Sequence, residues 1–275
     1  MKKNIIIAAL MLGTFGLSAT SFYNNEEGKV SECTSTETKV KAEVEETTNT
    51  PATVGEVVFQ KGKLIEVAFL SVKEGKGKQL KEDYFPKVMP IITEYGAKPL
   101  MTIGVKNAWS DDIKPQMVVF FEWPSAAKKE AFDKDKRFKE LKAIRDDALS
   151  FLKIGYFEVE KDMPVQLDES KFYEVYGMSM NKENGHLMQK YFEKAGPIST
   201  NDYGVDFALS MKPVHVNIFG SDHYVPQTFG LAIWPDAEAN DKYFGSEEYA
   251  EIKHFKEDAL ERLDVWQGSV ILGKK

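Results

Sequence analysis

Gln116–Leu152 reads QMVVFFEWPSAAKKEAFDKDKRFKELKAIRDDALSFL, and Gln227–Leu263 reads QTFGLAIWPDAEANDKYFGSEEYAEIKHFKEDALERL. The two stretches align without a gap at an offset of 111. Trp123-Pro124 falls on Trp234-Pro235, Ala126 on Ala237, Phe138 on Tyr249, Glu140 on Glu251, Lys142 on Lys253, and Asp147-Ala148-Leu149 on Asp258-Ala259-Leu260. The match extends outward, since Ser110-Asp111 and Pro115-Gln116 meet Ser221-Asp222 and Pro226-Gln227. Upstream, Lys63, Glu66, Val67 and Ser71 meet Lys171, Glu174, Val175 and Ser179 at an offset of 108, as Tyr95-Gly96 meets Tyr203-Gly204. Tyr84-Phe85 and Pro90-Ile91 meet Tyr191-Phe192 and Pro197-Ile198 at 107. Self-similarity kept in order over one long period marks a repeated architecture, so the chain reads as a tandem duplication.

Within each copy the apolar period switches between 2 and 3.6 in the order strand, helix, strand, strand, helix, strand. Residues 63–73 alternate as a strand, and 78–95 fit a helix that Gly96 can terminate. Residues 98–107 and 116–123 fit a hairpin, Ser125 can cap a helical region to about 150 with Leu141, Ile144 and Ala148 toward the core, and 152–160 supply a last strand. This βαββαβ order is ferredoxin-like. Two helices cover one face of each sheet and leave the other for a partner, which a second copy on the same chain can supply. The expected fold is therefore α+β: two tandem ferredoxin-like repeats, pairing sheet to sheet into one intramolecular α+β barrel, with the monomer as the expected state.

The Trp-Pro-Ser turn into an acidic, aromatic helix, the Phe138-Lys139-Glu140-Leu141-Lys142 stretch and the strand and hairpin order resemble the dimeric α+β barrel proteins. That superfamily includes antibiotic biosynthesis monooxygenases, stress-responsive barrels and domains of unknown function, and the resemblance is closest to the last. It implies the barrel for both copies, about 57–275, and is weak for chemistry. Chlorite dismutases are a more distant analogy, and the Asn-Trp-His trio of heme-degrading relatives is not recognisable here.

Alternation sorts each strand into two faces. Ile65, Val67 and Phe69 form a wholly apolar set, which the reading assigns to the helix-covered side, leaving Glu66 and its counterpart Glu174 toward the space between the sheets. By the same parity Phe207, Leu209, Met211, Phe229, Leu231 and Ile233 go under helices, while Thr102, Tyr176, Ser210, Trp123 and Trp234 line an interior chamber. Thr228, Gly230 and Ala232 are small and leave volume there. An apolar chamber with a few polar groups is the usual makeup of a small-molecule site. Glu66 and Glu174 are the candidate catalytic carboxylates, able to divide acid and base roles if their surroundings split their pKa values. The competing reading leaves them solvated at a barrel mouth or paired with Lys63, Lys98 or Lys171, and makes both tryptophans hydrophobic plugs. His215 and His223 flank the second hairpin and are candidate ligand contacts; they lack any recognised ligand spacing, and neither a metal nor a cofactor is expected.

The 275 residues carry 36 Lys+Arg against 43 Asp+Glu, a net charge of −7 without a basic run, which argues against nucleic acid or an anionic membrane as partner. The single cysteine, Cys33, excludes an internal disulfide framework. Lys2 and Lys3, the apolar run from Ile5 to Leu17 and the small residues Ser18 to Ser21 fit a cleaved secretory signal over 1–21, too short for comfortable membrane insertion. Residues 22–56, Thr- and Glu-rich and lacking apolar periodicity, fit a disordered acidic linker. The first repeat is then 57–163 and the second 164–275, in a secreted or periplasmic protein. Three functions remain open: an exported small-molecule-binding barrel, a cofactor-independent monooxygenase- or cyclase-like enzyme using an interior carboxylate, and a non-catalytic interaction module, which a filled interior would favour.

Overall fold

The computed structural model describes residues 54–214 and 222–272. The expected signal and nearly all of the expected linker lie outside the described residues, as does His215. The end of the linker does not: Val54–Glu56 open strand β1 (Val54–Phe59), which pairs antiparallel with β6 (Met163–Asp168). Neither strand belongs to the βαββαβ pattern. Phe59, Val165 and Leu167 from this ribbon pack into the central core, and that burial offsets the ordering entropy of an otherwise polar segment.

The first unit runs β2 (Leu64–Val72), α1 (Gly77–Gln79), a π-helical turn (Leu80–Tyr84), α2 (Phe85–Glu94), β3 (Lys98–Trp109), β4 (Met117–Trp123), α3 (Ala126–Lys134), α4 (Lys136–Ala148) and β5 (Leu149–Glu158). The second runs β7 (Phe172–Met180), α5 (Leu187–Asn201), β8 (Asp206–Pro213), β9 (Thr228–Trp234), α6 (Ala237–Phe244), α7 (Glu247–Ala259) and β10 (Leu260–Val270). The helical region predicted from Ser125 divides in two. Ser125 accepts from the Lys128 N–H to cap α3, and Asp135 accepts from the Arg137 N–H to start α4; Asp236 and Ser246 do the same for α6 and α7. Gly96 and Gly204 follow the first helix of each unit at φ 79 and 69. A Cβ on them would lie 2.9 and 3.0 Å from the Pro124 and Pro235 rings, so backbone and space both call for glycine there.

The eight long strands close into one barrel in the order β10-β3-β4-β2-β5-β8-β9-β7. Each unit keeps the ferredoxin-like strand order, and two seams join the units. The β3–β10 seam runs from Ile103 opposite Val270 to Trp109 opposite Val265. The β5–β8 seam is short, with Phe157 opposite Pro213 and Glu158 opposite Lys212, and past the proline the Val214 N–H still donates to the Tyr156 carbonyl at 2.8 Å.

The barrel interior is filled. Val67 and Phe69 of β2 and Phe120 of β4 interdigitate with Val175, Met211, Phe229 and Trp266 of the second unit. Phe157 stacks on Phe229 at 4.4 Å, and Phe69 lies 4.4 Å from Trp266. This reverses the face assignment made from sequence. Parity sorts the strands correctly, but Ile65, Val67, Phe69, Leu209, Met211, Phe229, Leu231 and Ile233 point inward. Glu66, Thr102 and Trp123, and Glu174, Tyr176 and Trp234, lie beneath the helices of their own units. The space inside an eight-stranded barrel is just wide enough for side chains, and a carboxylate there needs dedicated partners, as Asp264 has in Tyr224 and Arg262, so the wholly apolar set belongs there. Phe207 leaves its expected companions Leu209 and Met211 because a register shift falls between Asp206 and Leu209.

Candidate functional site

Each unit carries a cavity between its helices and its sheet. In the first unit it measures about 140 Å³ and is lined by Glu66, Ala68, Val119, Thr102, Trp123 and Lys129 among apolar residues of α2, α4 and β5. In the second it measures about 340 Å³ and is lined by Glu174, Tyr176, Trp234, Asn240, Tyr243, Lys256 and Gln267, with Trp109 reaching in from β3 of the first unit. None of the small residues noted in β9, Thr228, Gly230 and Ala232, lines that cavity. A Cβ on Gly230 would lie 2.4 Å from the Tyr176 ring, so the glycine lets that ring lie across the sheet. Its counterparts in the first unit, Val119 and Ala68, trade the bulk the other way.

The two carboxylates occupy matching registers, Glu66 opposite Phe121 and Glu174 opposite Ala232, with Trp123 and Trp234 two residues along on the neighbouring strand. Their partners differ. Trp123 donates its indole N–H to Glu66 at 2.9 Å, and the Lys129 ammonium stands 3.6 Å from the same carboxylate and 2.6 Å from Asp133. That ammonium also lies over the rings of Trp123, Phe132 and Tyr156 at 5.4, 5.7 and 5.7 Å, a cation–π enclosure. In the second unit Asn240 stands where Lys129 does, and Gln267 where Tyr156 does. Glu174 accepts from Asn240 Nδ2 at 3.1 Å and Gln267 Nε2 at 2.6 Å, and Gln267 Nε2 also reaches Asn240 Oδ1 at 3.2 Å. The Trp234 indole N–H, buried, has no hydrogen-bond partner among the described residues.

Burial raises the Glu174 carboxyl above its ordinary value, against the pull of Gln267, Asn240 and Lys256 in the other direction. Burial likewise pushes the Tyr176 phenol up to about 12, so it stays a neutral wall of the cavity. The Lys256 ammonium donates to Tyr249 Oη at 2.7 Å and lies 5.5 Å from the Tyr191 ring and 5.3 Å from the Phe244 ring.

Of the residues singled out from sequence, the structure brings Glu66, Thr102 and Trp123 into one cavity and Glu174, Tyr176 and Trp234 into the other. Ser210 is solvent-exposed and lines neither. His223 is half-buried, 5.1 Å from the Tyr156 ring, and also lines neither cavity. Lys98, weighed as a partner for Glu66, pairs instead with Glu122 at 3.1 Å. Lys129, Asn240, Tyr156 and Gln267 went unnoticed. The available signal was the offset of 111 itself, which exposes them as places where the two copies carry different polar groups on faces that read as covered. Among the described residues no group of three His, Cys, Asp or Glu side chains comes together as a metal site. No helix among them is long and apolar enough to cross a membrane.

Residues 69–153 match a family model described as a domain of unknown function, DUF1330. No curated protein matches the chain. Among solved structures the chain is similar to an anthrone oxidase-like protein, at 10% identity over 80% of this chain and 98% of that one, with a TM-score of 0.49. It is also similar to a mutant chlorite dismutase from Candidatus Nitrospira defluvii in complex with cyanide, at 9% identity over 77% and 91% of the two chains, TM-score 0.46. A heme-binding protein from Thermus thermophilus aligns at 10% identity over 79% and 93%, TM-score 0.38.

Proposed function

We propose that this chain is a small-molecule-binding α+β barrel whose ligand lies between helices and sheet rather than inside the barrel. The observation that carries the reading is the second cavity, about 340 Å³, apolar and aromatic in its walls, with one buried, hydrogen-bonded carboxylate. Apolar enclosure with a few fixed polar groups is how a protein both holds and orients a small molecule. Mass spectrometry of the full chain under native conditions, before and after denaturation, tests it. A small molecule released on unfolding supports the reading; an unloaded chain that also shows no thermal shift with any member of a neutral aromatic library overturns it.

A second reading, a cofactor-independent enzyme, is favoured by one observation: Glu174 borders free volume and holds its proton more readily than an ordinary carboxyl. In that case Glu174→Gln abolishes turnover while leaving ligand binding intact. Heme is not assigned, because among the described residues no histidine lines either cavity to offer an imidazole to an iron. The reading further takes the chain to be a fused pair of one ancestral unit, monomeric and exported. Light scattering and the amino-terminal sequence of the mature protein test those two states.

A further inference from the structure

Resting on the binding reading above, we infer that the two copies have diverged into one smaller, self-satisfied pocket and one ligand site, in which the Trp234 indole N–H donates to an oxygen acceptor on an uncharged aromatic ligand. The comparison is internal to the molecule. Trp123 and Trp234 hold the same register position, and both are 2% exposed. Trp123 spends its donor on Glu66, and Lys129 completes that carboxylate's pairing. In the second unit Asn240 and Gln267 take the carboxylate, so the indole donor is released. A donor that is buried and left unpaired is costly, and such a group in a native structure calls for an explanation. An acceptor entering the adjoining cavity removes that cost.

The surroundings set the ligand class. The cavity mouth carries Trp109, Phe192 and Phe207, exposed by 56%, 39% and 43%, three aromatic side chains that also line it. Within the walls the buried acid Glu174 is held by Asn240 and Gln267 and the Lys256 ammonium by Tyr249, so both charged groups are already engaged and the aromatic walls suit an uncharged ligand. A neutral, ring-bearing molecule with a carbonyl or ether oxygen satisfies both conditions. Trp109 belongs to the first unit and reaches this cavity because β3 pairs with β10 through Trp109 opposite Val265, so the site needs the closed barrel.

The test uses two probes that differ by one acceptor, 1-tetralone and tetralin, titrated into the full chain and into Trp234→Phe and Trp123→Phe. The ratio of the two dissociation constants is the readout, which cancels the general hydrophobic contribution. In Trp234→Phe it should move by about tenfold against the ketone, the scale of one buried hydrogen bond, and in Trp123→Phe it should stay at the native value. Should Trp234→Phe fail to fold, the indole N–H resonance of Trp234 in the native chain gives the answer directly: it shifts with the ketone and not with the hydrocarbon. A ratio unchanged in Trp234→Phe, or changed by Trp123→Phe instead, overturns the assignment while leaving the binding reading intact. Failure of both probes to bind the native chain overturns the ligand class assigned here, while the binding reading falls only with an unloaded chain and a silent library.

Discussion

Gly268 of β10 crosses Gly104 of β3 so closely that a Cβ on Gly268 would lie 1.8 Å from the Gly104 carbonyl oxygen. The contact is backbone against backbone, and a register shift between Gln267 and Gly268 lets the seam pass it. Neither strand can yield as a flexible side chain would. Gly268→Ala is expected to open the β3–β10 seam and lower the stability measured by urea unfolding by at least about 2 kcal/mol. An unfolding midpoint equal to that of the native chain would show that the barrel does not depend on this crossing.

Beneath the first unit's helices Lys129 and Glu66 form a covered ion pair, their side chains 6% and 13% exposed. Removing one partner of such a pair leaves the other charge uncompensated, at a cost of about 3 kcal/mol. Lys129→Met should therefore destabilise by that order, whereas Asn240→Ala at the matching position leaves Gln267 bonded to Glu174 and should cost about 1 kcal/mol. Chemical denaturation of the two variants side by side measures the contrast, and equal losses would contradict it.

Glu174 sets a pH dependence. Its folded carboxyl is raised by burial, so the folded state binds this proton more tightly than the unfolded state. The contribution to stability is fully present below the ordinary carboxylate range and is lost as pH rises through the raised folded value. Glu174→Gln lacks it, so the melting temperature of the variant should gain on that of the native chain as pH climbs out of the carboxylate range toward neutrality. A constant difference across that window would place the carboxylate in a wetter setting than the structure gives it.

The reversed strand faces can be checked with two substitutions. Phe69 lies fully buried against Trp266 and Tyr224, at 4.4 and 5.4 Å between ring centroids, so Phe69→Ala should cost about 3–5 kcal/mol through the cavity it leaves. Ser210 faces solvent, and Ser210→Ala should change stability by less than about 0.5 kcal/mol. A large loss at Ser210 would return that residue to the interior, where alternation alone had put it.

Much of the architecture was legible because repetition and periodicity are properties of the chain itself. The Trp-Pro turns, the Tyr-Gly helix ends and the period-2 runs locate strands and helices within a few residues, and two copies of βαββαβ require a partner face that each can provide. Strands β1 and β6 escaped, six residues each and outside the repeated pattern, because their pairing joins distant segments.

Periodicity separates Val67 from Glu66 but does not say which of them looks inward. That was decided by closure: the space enclosed by eight strands is narrow, so the apolar faces of both units meet there and Glu66 and Glu174 go under the helices. The partners of each carboxylate were likewise settled in three dimensions, where Trp123 and Lys129, or Asn240 and Gln267, arrive from separate elements. Sequence alone carried the two βαββαβ units and the α+β barrel. Tertiary packing alone showed that two equivalent tryptophans differ, one bonded to its glutamate and the other left with a donor to give, because a hydrogen bond depends on which distant side chain reaches the acceptor first.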